Sequence, residues 1–136
     1  MVRVKISDLS VGDWVQDKEG TPAKILGIEQ WADDYYLNVE VNGVDVGNVF
    51  AEGALPILIT PEILEKNGFV KNDEYRWYNP SIKCTCSRFG RKYWDIFIRG
   101  KNRKYRPTRI KADNIIHIHQ LQHVLRLAGV EKEIEL

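Results

Sequence analysis

This 136-residue chain is short of cysteine, of long apolar runs, and of acid in one long segment. Its two cysteines, Cys84 and Cys86, are too few for a disulfide-stapled scaffold. They stand two apart in what reads as a strand, on one face, where bridging is geometrically unfavourable. Reduced thiols in a cytoplasm are the expectation. No apolar run approaches the roughly 18 residues that cross a bilayer, so no membrane partner is expected. The N-terminal Met1-Val-Arg-Val-Lys-Ile6 lacks the apolar core and small-residue cleavage site of a signal peptide. Missing too are a glycine-rich phosphate loop, a nucleophile elbow, an RNP-type aromatic strand, a KH-type loop and zinc-finger spacing. These absences argue for a non-catalytic protein, with no catalytic residue, metal or cofactor assigned.

What is present is a polarised charge. Between Lys83 and Lys111, eleven of twelve charged residues are basic and Asp95 is the lone acid. That segment carries a formal charge of +10 and the other 107 residues −9, so the net of +1 conceals the separation. Phe89, Tyr93, Trp94, Phe97 and Tyr105 are interleaved with the cations. Charge separated this way marks a surface for something anionic. Arg88, Arg91, Lys92, Arg99, Lys101, Arg103, Lys104, Arg106 and Arg109 are the candidate phosphate contacts, and Tyr93, Phe97 and Tyr105 the candidates for stacking on bases. Three readings compete: contact with DNA or RNA, contact with an acidic protein or a second copy of the chain, and a solvated face that merely blunts a sheet edge. Nucleic acid is preferred.

The composition, 43% hydrophobic and 10% aromatic, is that of an ordered globular protein, and the length suits one domain or two small halves. Residues 1–60 read as an SH3-like small β-barrel. Gly12-Asp13 turns the chain into a strand at Trp14, and Gly20 closes a hairpin. Leu37, Val39 and Val41 alternate with polar neighbours, and Asn42-Gly43 is a strong two-residue hairpin turn. Residues 61–136 read as a helix over Pro61–Asn67, an antiparallel sheet and a C-terminal helix. Thr60 is placed as N-cap, Pro61 at the first helical position and Gly68 just past the end. Strands are expected at Glu74–Tyr78, Ile82–Cys86, Tyr93–Arg99 and Asn114–Ile118. Leu121, Val124, Leu125 and Ala128 give the last helix its apolar stripe. The apolar stretch Ala51–Ile59 offers no flexible linker, so the halves are expected to pack as one compact α+β unit.

Other constellations have plainer readings. His117, His119 and His123 form a conceivable ligand set, but Gln120 stands where a zinc protease would need Glu. Trp77, Tyr78 and Trp94 read as core rather than as a ligand groove.

The motifs Leu9-Ser-Val-Gly-Asp-Trp-Val15, Ile59-Thr-Pro-Glu-Ile-Leu-Glu-Lys-Asn-Gly-Phe69 and His117-Ile-His-Gln-Leu-Gln-His-Val-Leu-Arg-Leu-Ala-Gly129 occur in that order. Together they resemble a family of small uncharacterised bacterial proteins, many encoded by phages and integrated mobile elements. The resemblance implies a small intracellular accessory protein without catalytic residues. A nucleic-acid-binding accessory protein is thus the expectation, with a protein-interaction adaptor or a self-associating structural protein as the alternative.

Overall fold

The computed structural model describes residues 5–50, 53–88, 92–99 and 109–136. The protein is α+β, and the described residues form two antiparallel sheets and two α-helices. It divides into two compact units, Met1–Ile57 and Leu58–Leu136.

The N-terminal unit is a four-stranded meander of β1 (Trp14–Gln16), β2 (Pro22–Trp31), β3 (Asp34–Val41) and β4 (Val44–Phe50). Its turns follow the local chemistry. Asp17 accepts from the backbone N–H groups of Glu19 and Thr21, each at 2.9 Å, and Gly20 sits at φ +84°. Those bonds, that of Thr21 first, hold the Asp17 carboxyl below its ordinary range. Asn42 and Gly43 both take positive φ, as a tight hairpin turn matched to strand twist requires. Ile25, Leu37 and Val39 meet Leu9, Val15, Ala23 and Ala54 in one core. Among the described residues the sheet is not closed into a barrel, so the expected SH3-like barrel is not borne out. The segment after β4 meets the three-residue β1 at a single bridge, Gln16 to Leu55.

The C-terminal unit is a five-stranded sheet in sequence order: β5 (Val70–Lys71), β6 (Arg76–Asn79), β7 (Cys84–Ser87), β8 (Trp94–Arg99) and β9 (Arg109–Ile115). Helix α1 (Pro61–Lys66) contacts β5 and β6, and α2 (Ile118–Leu127) contacts β8 and β9. The inner face buries Trp77, Cys84, Cys86, Trp94, Ile96 and Ile98. Trp77 and Trp94 meet edge to face, with centroids 5.4 Å apart, a favoured aromatic geometry. Both helices end alike. Phe69 N–H donates to Leu64 O and Val130 N–H to Leu125 O, with Gly68 and Gly129 at positive φ. This six-to-one bond is the Schellman arrangement, which satisfies the terminal carbonyls.

Thr60 Oγ1 accepts from Ile63 N–H at 3.2 Å, as its N-cap role demands. Thr60→Ala should therefore lower stability by about 1 kcal/mol in urea titrations, while Thr60→Ser changes it little. Equal losses in both variants would deny the cap a role.

The strand expected over Asn114–Ile118 needs correction. Strand β9 runs instead from Arg109 to Ile115, and Ile118 opens α2. Asn114 takes φ +59° where the register slips between Ile96 and Trp94, adding one residue to β9. The tail beyond α2 is fastened by two buried amides. Asn67 exchanges hydrogen bonds of 2.7 Å with Glu135, and Gln122 joins Lys132 O and Ile134 N–H. Ile134 is buried beside them.

Candidate nucleic-acid interface

Strand alternation decides what the C-terminal unit presents. In β8, Trp94, Ile96 and Ile98 point inward, while Asp95, Phe97 and Arg99 point outward. In β6, Trp77 and Asn79 are buried, leaving Arg76 and Tyr78 outside. The antiparallel register then aligns Val70, Tyr78, Thr85, Phe97 and Lys111 as one row across all five strands. Phe97 is 41% and Tyr78 38% exposed. Lys111 and Arg99 are exposed on the same face, beside Phe97.

Arg99 is paired in the backbone register with Arg109. The side chain of Arg109 lies outside the described residues. On this face Asp95 is the nearest acid along β8, and Lys111 meets Asp113 at 3.6 Å with both side chains largely in water. An exposed pair of that kind contributes little and leaves the cation accessible.

The sequence candidates separate into groups. Phe97 and Arg99 come together on the outer face, where Lys111, not among those candidates, stands beside them. Arg88 does not join them: its guanidinium lies 4.8 Å from the ring centroid of buried Trp94, where cation–π attraction makes it a cover for the core. Lys92 lies 5.8 Å over the ring of Tyr93, which is 40% exposed just before β8. Arg91, Lys101, Arg103, Lys104, Tyr105 and Arg106 lie outside the described residues. Tyr78, which the sequence reads as core beside Trp77 and Trp94, is exposed and lines up with Phe97 instead. Adjacent residues of one strand face opposite ways, so the Trp77-Tyr78 pair held the signal.

The histidines lie close together, with ring centroids 5.7 Å apart for His117 and His119 and 5.9 Å for His119 and His123. Among the described residues no group of three or more His, Cys, Asp or Glu is arranged to hold a metal. His117 occupies the N-cap position of α2, where Gln120 Oε1 accepts from its N–H at 3.0 Å. Burial, and secondarily the Lys92 ammonium, lower the His117 pKa below its usual value near 6.5. The unfolded chain therefore binds a proton there more readily than the folded one. This contribution to stability is present above the unfolded value and is lost as pH falls through the folded one. Denaturation midpoints of the wild type should fall between about pH 7.5 and 5 more steeply than those of His117→Asn. Parallel profiles would remove His117 as the cause.

Cys84 and Cys86 are buried and unbridged on the inner face of β7. Burial, with the neighbouring Cys84, raises the Cys86 thiol pKa well above normal, which makes it an unreactive core group. In the N-terminal unit a cavity of about 510 Å³ opens between Val15, Val39, Val41, Val46, Val49 and Leu55, with Asp17 and Lys18 also lining it. Among the described residues no helix is long and apolar enough to cross a membrane.

Comparison of the chain with known protein families, with curated proteins and with solved structures finds no match in any of the three.

Proposed function

We propose that this protein is a non-catalytic accessory protein that binds nucleic acid weakly, and with little sequence preference, through the outer face of its five-stranded sheet. The observation that carries the reading is the side-by-side exposure of Phe97, Arg99 and Lys111 on that face. It lies inside the segment of the chain with ten excess positive charges. Phosphate contacts supply sequence-independent affinity and position the ligand, whereas specificity requires base-reading groups in a defined array. No base-reading motif occurs in the sequence, so weak and general binding is the form the proposal takes. The origin in a phage or mobile element suggested by the three sequence motifs fits a protein of this kind.

Fluorescence anisotropy of labelled DNA and RNA oligonucleotides at low salt tests the reading. Binding at micromolar protein that weakens steeply with added salt is the expected outcome. The absence of binding to every oligonucleotide would overturn it and bring the adaptor reading forward. That alternative draws its support from the apolar cavity of the N-terminal unit. The residues lining it are mostly aliphatic, which suits an apolar segment of a protein partner better than a polyanion.

A further inference from the structure

We infer that the outer face selects single-stranded over duplex nucleic acid, with Tyr78 and Phe97 as the two platforms on which unpaired bases stack. The inference rests on the reading of this face as a nucleic-acid surface and narrows its ligand.

The solvated face of an antiparallel sheet is ordinarily polar. Here the row Val70, Tyr78, Thr85, Phe97 and Lys111 places an aliphatic side chain and two aromatic rings toward water. Thr85 is the smaller residue between the rings, and the two ring-bearing strands are separated by two strand spacings, roughly 9–10 Å. Each ring therefore has room to take a separate base. In a duplex the base faces are already covered by their neighbours, so a helix would meet this surface through phosphates alone. An unpaired strand offers each base as a planar surface, and stacking on aromatic side chains is tolerant of sequence.

The cations are placed to complement this. Lys111 is the register partner of Phe97, and Arg99 lies two residues along the same face of β8. A strand laid across the row would bring its backbone to these cations as its bases reach the rings. An acidic peptide would satisfy the cations equally well and leave both rings without a planar partner. The pairing of rings with cations therefore favours a polynucleotide over a protein.

The test uses the full chain with labelled oligothymidylate, oligouridylate and a duplex of matching length, and polyglutamate as a competitor. Tyr78→Leu and Phe97→Leu should each weaken single-strand binding roughly 5- to 150-fold, the range seen for loss of one base–aromatic stack. Duplex binding should remain within about twofold, since phosphate contacts are untouched. Tyr78→Phe and Phe97→Tyr should restore single-strand affinity, which separates lost stacking from lost folding. Comparison of the thymidine and uridine strands decides between DNA and RNA. If the leucine variants bind single strands as the wild type does, the stacking inference fails and the wider nucleic-acid reading stands. Equal competition by polyglutamate against wild type and leucine variants would also overturn it, leaving a general polyanion surface. If no oligonucleotide binds the wild type, both fail together.

Discussion

Trp94→Ala is expected to lower the stability of the protein by about 3–5 kcal/mol, the cost of removing a fully buried tryptophan. Trp94 has no exposed surface, packs edge-on against Trp77 and carries the Arg88 guanidinium over its ring. Small domains are stable by only about 5–15 kcal/mol, so one substitution would remove a large share of the margin. Urea denaturation followed by far-ultraviolet circular dichroism measures it, because the midpoint and slope of the transition report unfolding of the backbone even where the lost indole changes the amplitude. A loss under about 1 kcal/mol would mean that the site collapses readily onto the vacated space. Tyr78→Ala, one residue from Trp77 but on the other face, provides the contrast. Its half-exposed ring should contribute little to folding.

Changing Lys101, Arg103 and Lys104 together to glutamate is expected to weaken oligonucleotide binding at least a hundredfold. The change shifts the charge of the 83–111 segment from +10 to +4. Each phosphate contact on a single strand releases about 0.7 counterion, and on a duplex about 0.9. If about six phosphates are neutralised, affinity must fall roughly 300-fold on a single strand and about 2,000-fold on a duplex between about 50 and 200 mM salt, and the triple variant must flatten that slope. Reversing Arg99 and Lys111 instead acts on the described face directly. Both are exposed, so this pair of changes should cost binding with little effect on the melting temperature. Unaltered binding by the triple variant, with loss in the double one, would confine the contact to the sheet. Unaltered binding by both would remove electrostatics as its source.

Local chemistry made much of the fold legible. Thr60, Pro61 and Gly68 bracket α1 because a helix leaves terminal donors and acceptors that only a few residue types satisfy. The turn at Asn42-Gly43 and the alternation of Trp94, Ile96 and Ile98 against Phe97 and Arg99 are equally local, and all stand where the sequence put them. Strand β9 was also within reach. Ile110 and Ala112 alternate with Arg109, Lys111 and Asp113, but the density of charge disguised the period-two pattern as loop. Strand β5 has only two residues, too short for any period to register. The hold of Asn67 on Glu135 joins residues 68 apart in the chain, and no local window contains both ends. Closure of the first sheet is non-local in the same way. It turns on pairing between β1 and residues beyond β4, which the turn residues do not specify.

The candidate surface was half readable. Its charge lies in the composition of one segment, so no coordinates were needed to find it. Which cations share a face is another matter. Arg88 belongs to the same basic run as Arg99, yet it caps a tryptophan at 4.8 Å. Cross-strand register, a long-range property, brought Tyr78 into line with Phe97.

The paired thiols have a practical use of their own. Cys84 and Cys86 lie without exposed surface in β7, the middle strand of five. A sulfhydryl reagent can reach them only when the sheet parts, so their modification rate times the rarest openings of the unit rather than the fraying of its edges. The protein thereby carries a chronometer that needs no engineered label. Followed with and without an oligonucleotide, it would show whether a ligand on the far side of the sheet slows the parting of strands whose inner faces it never touches.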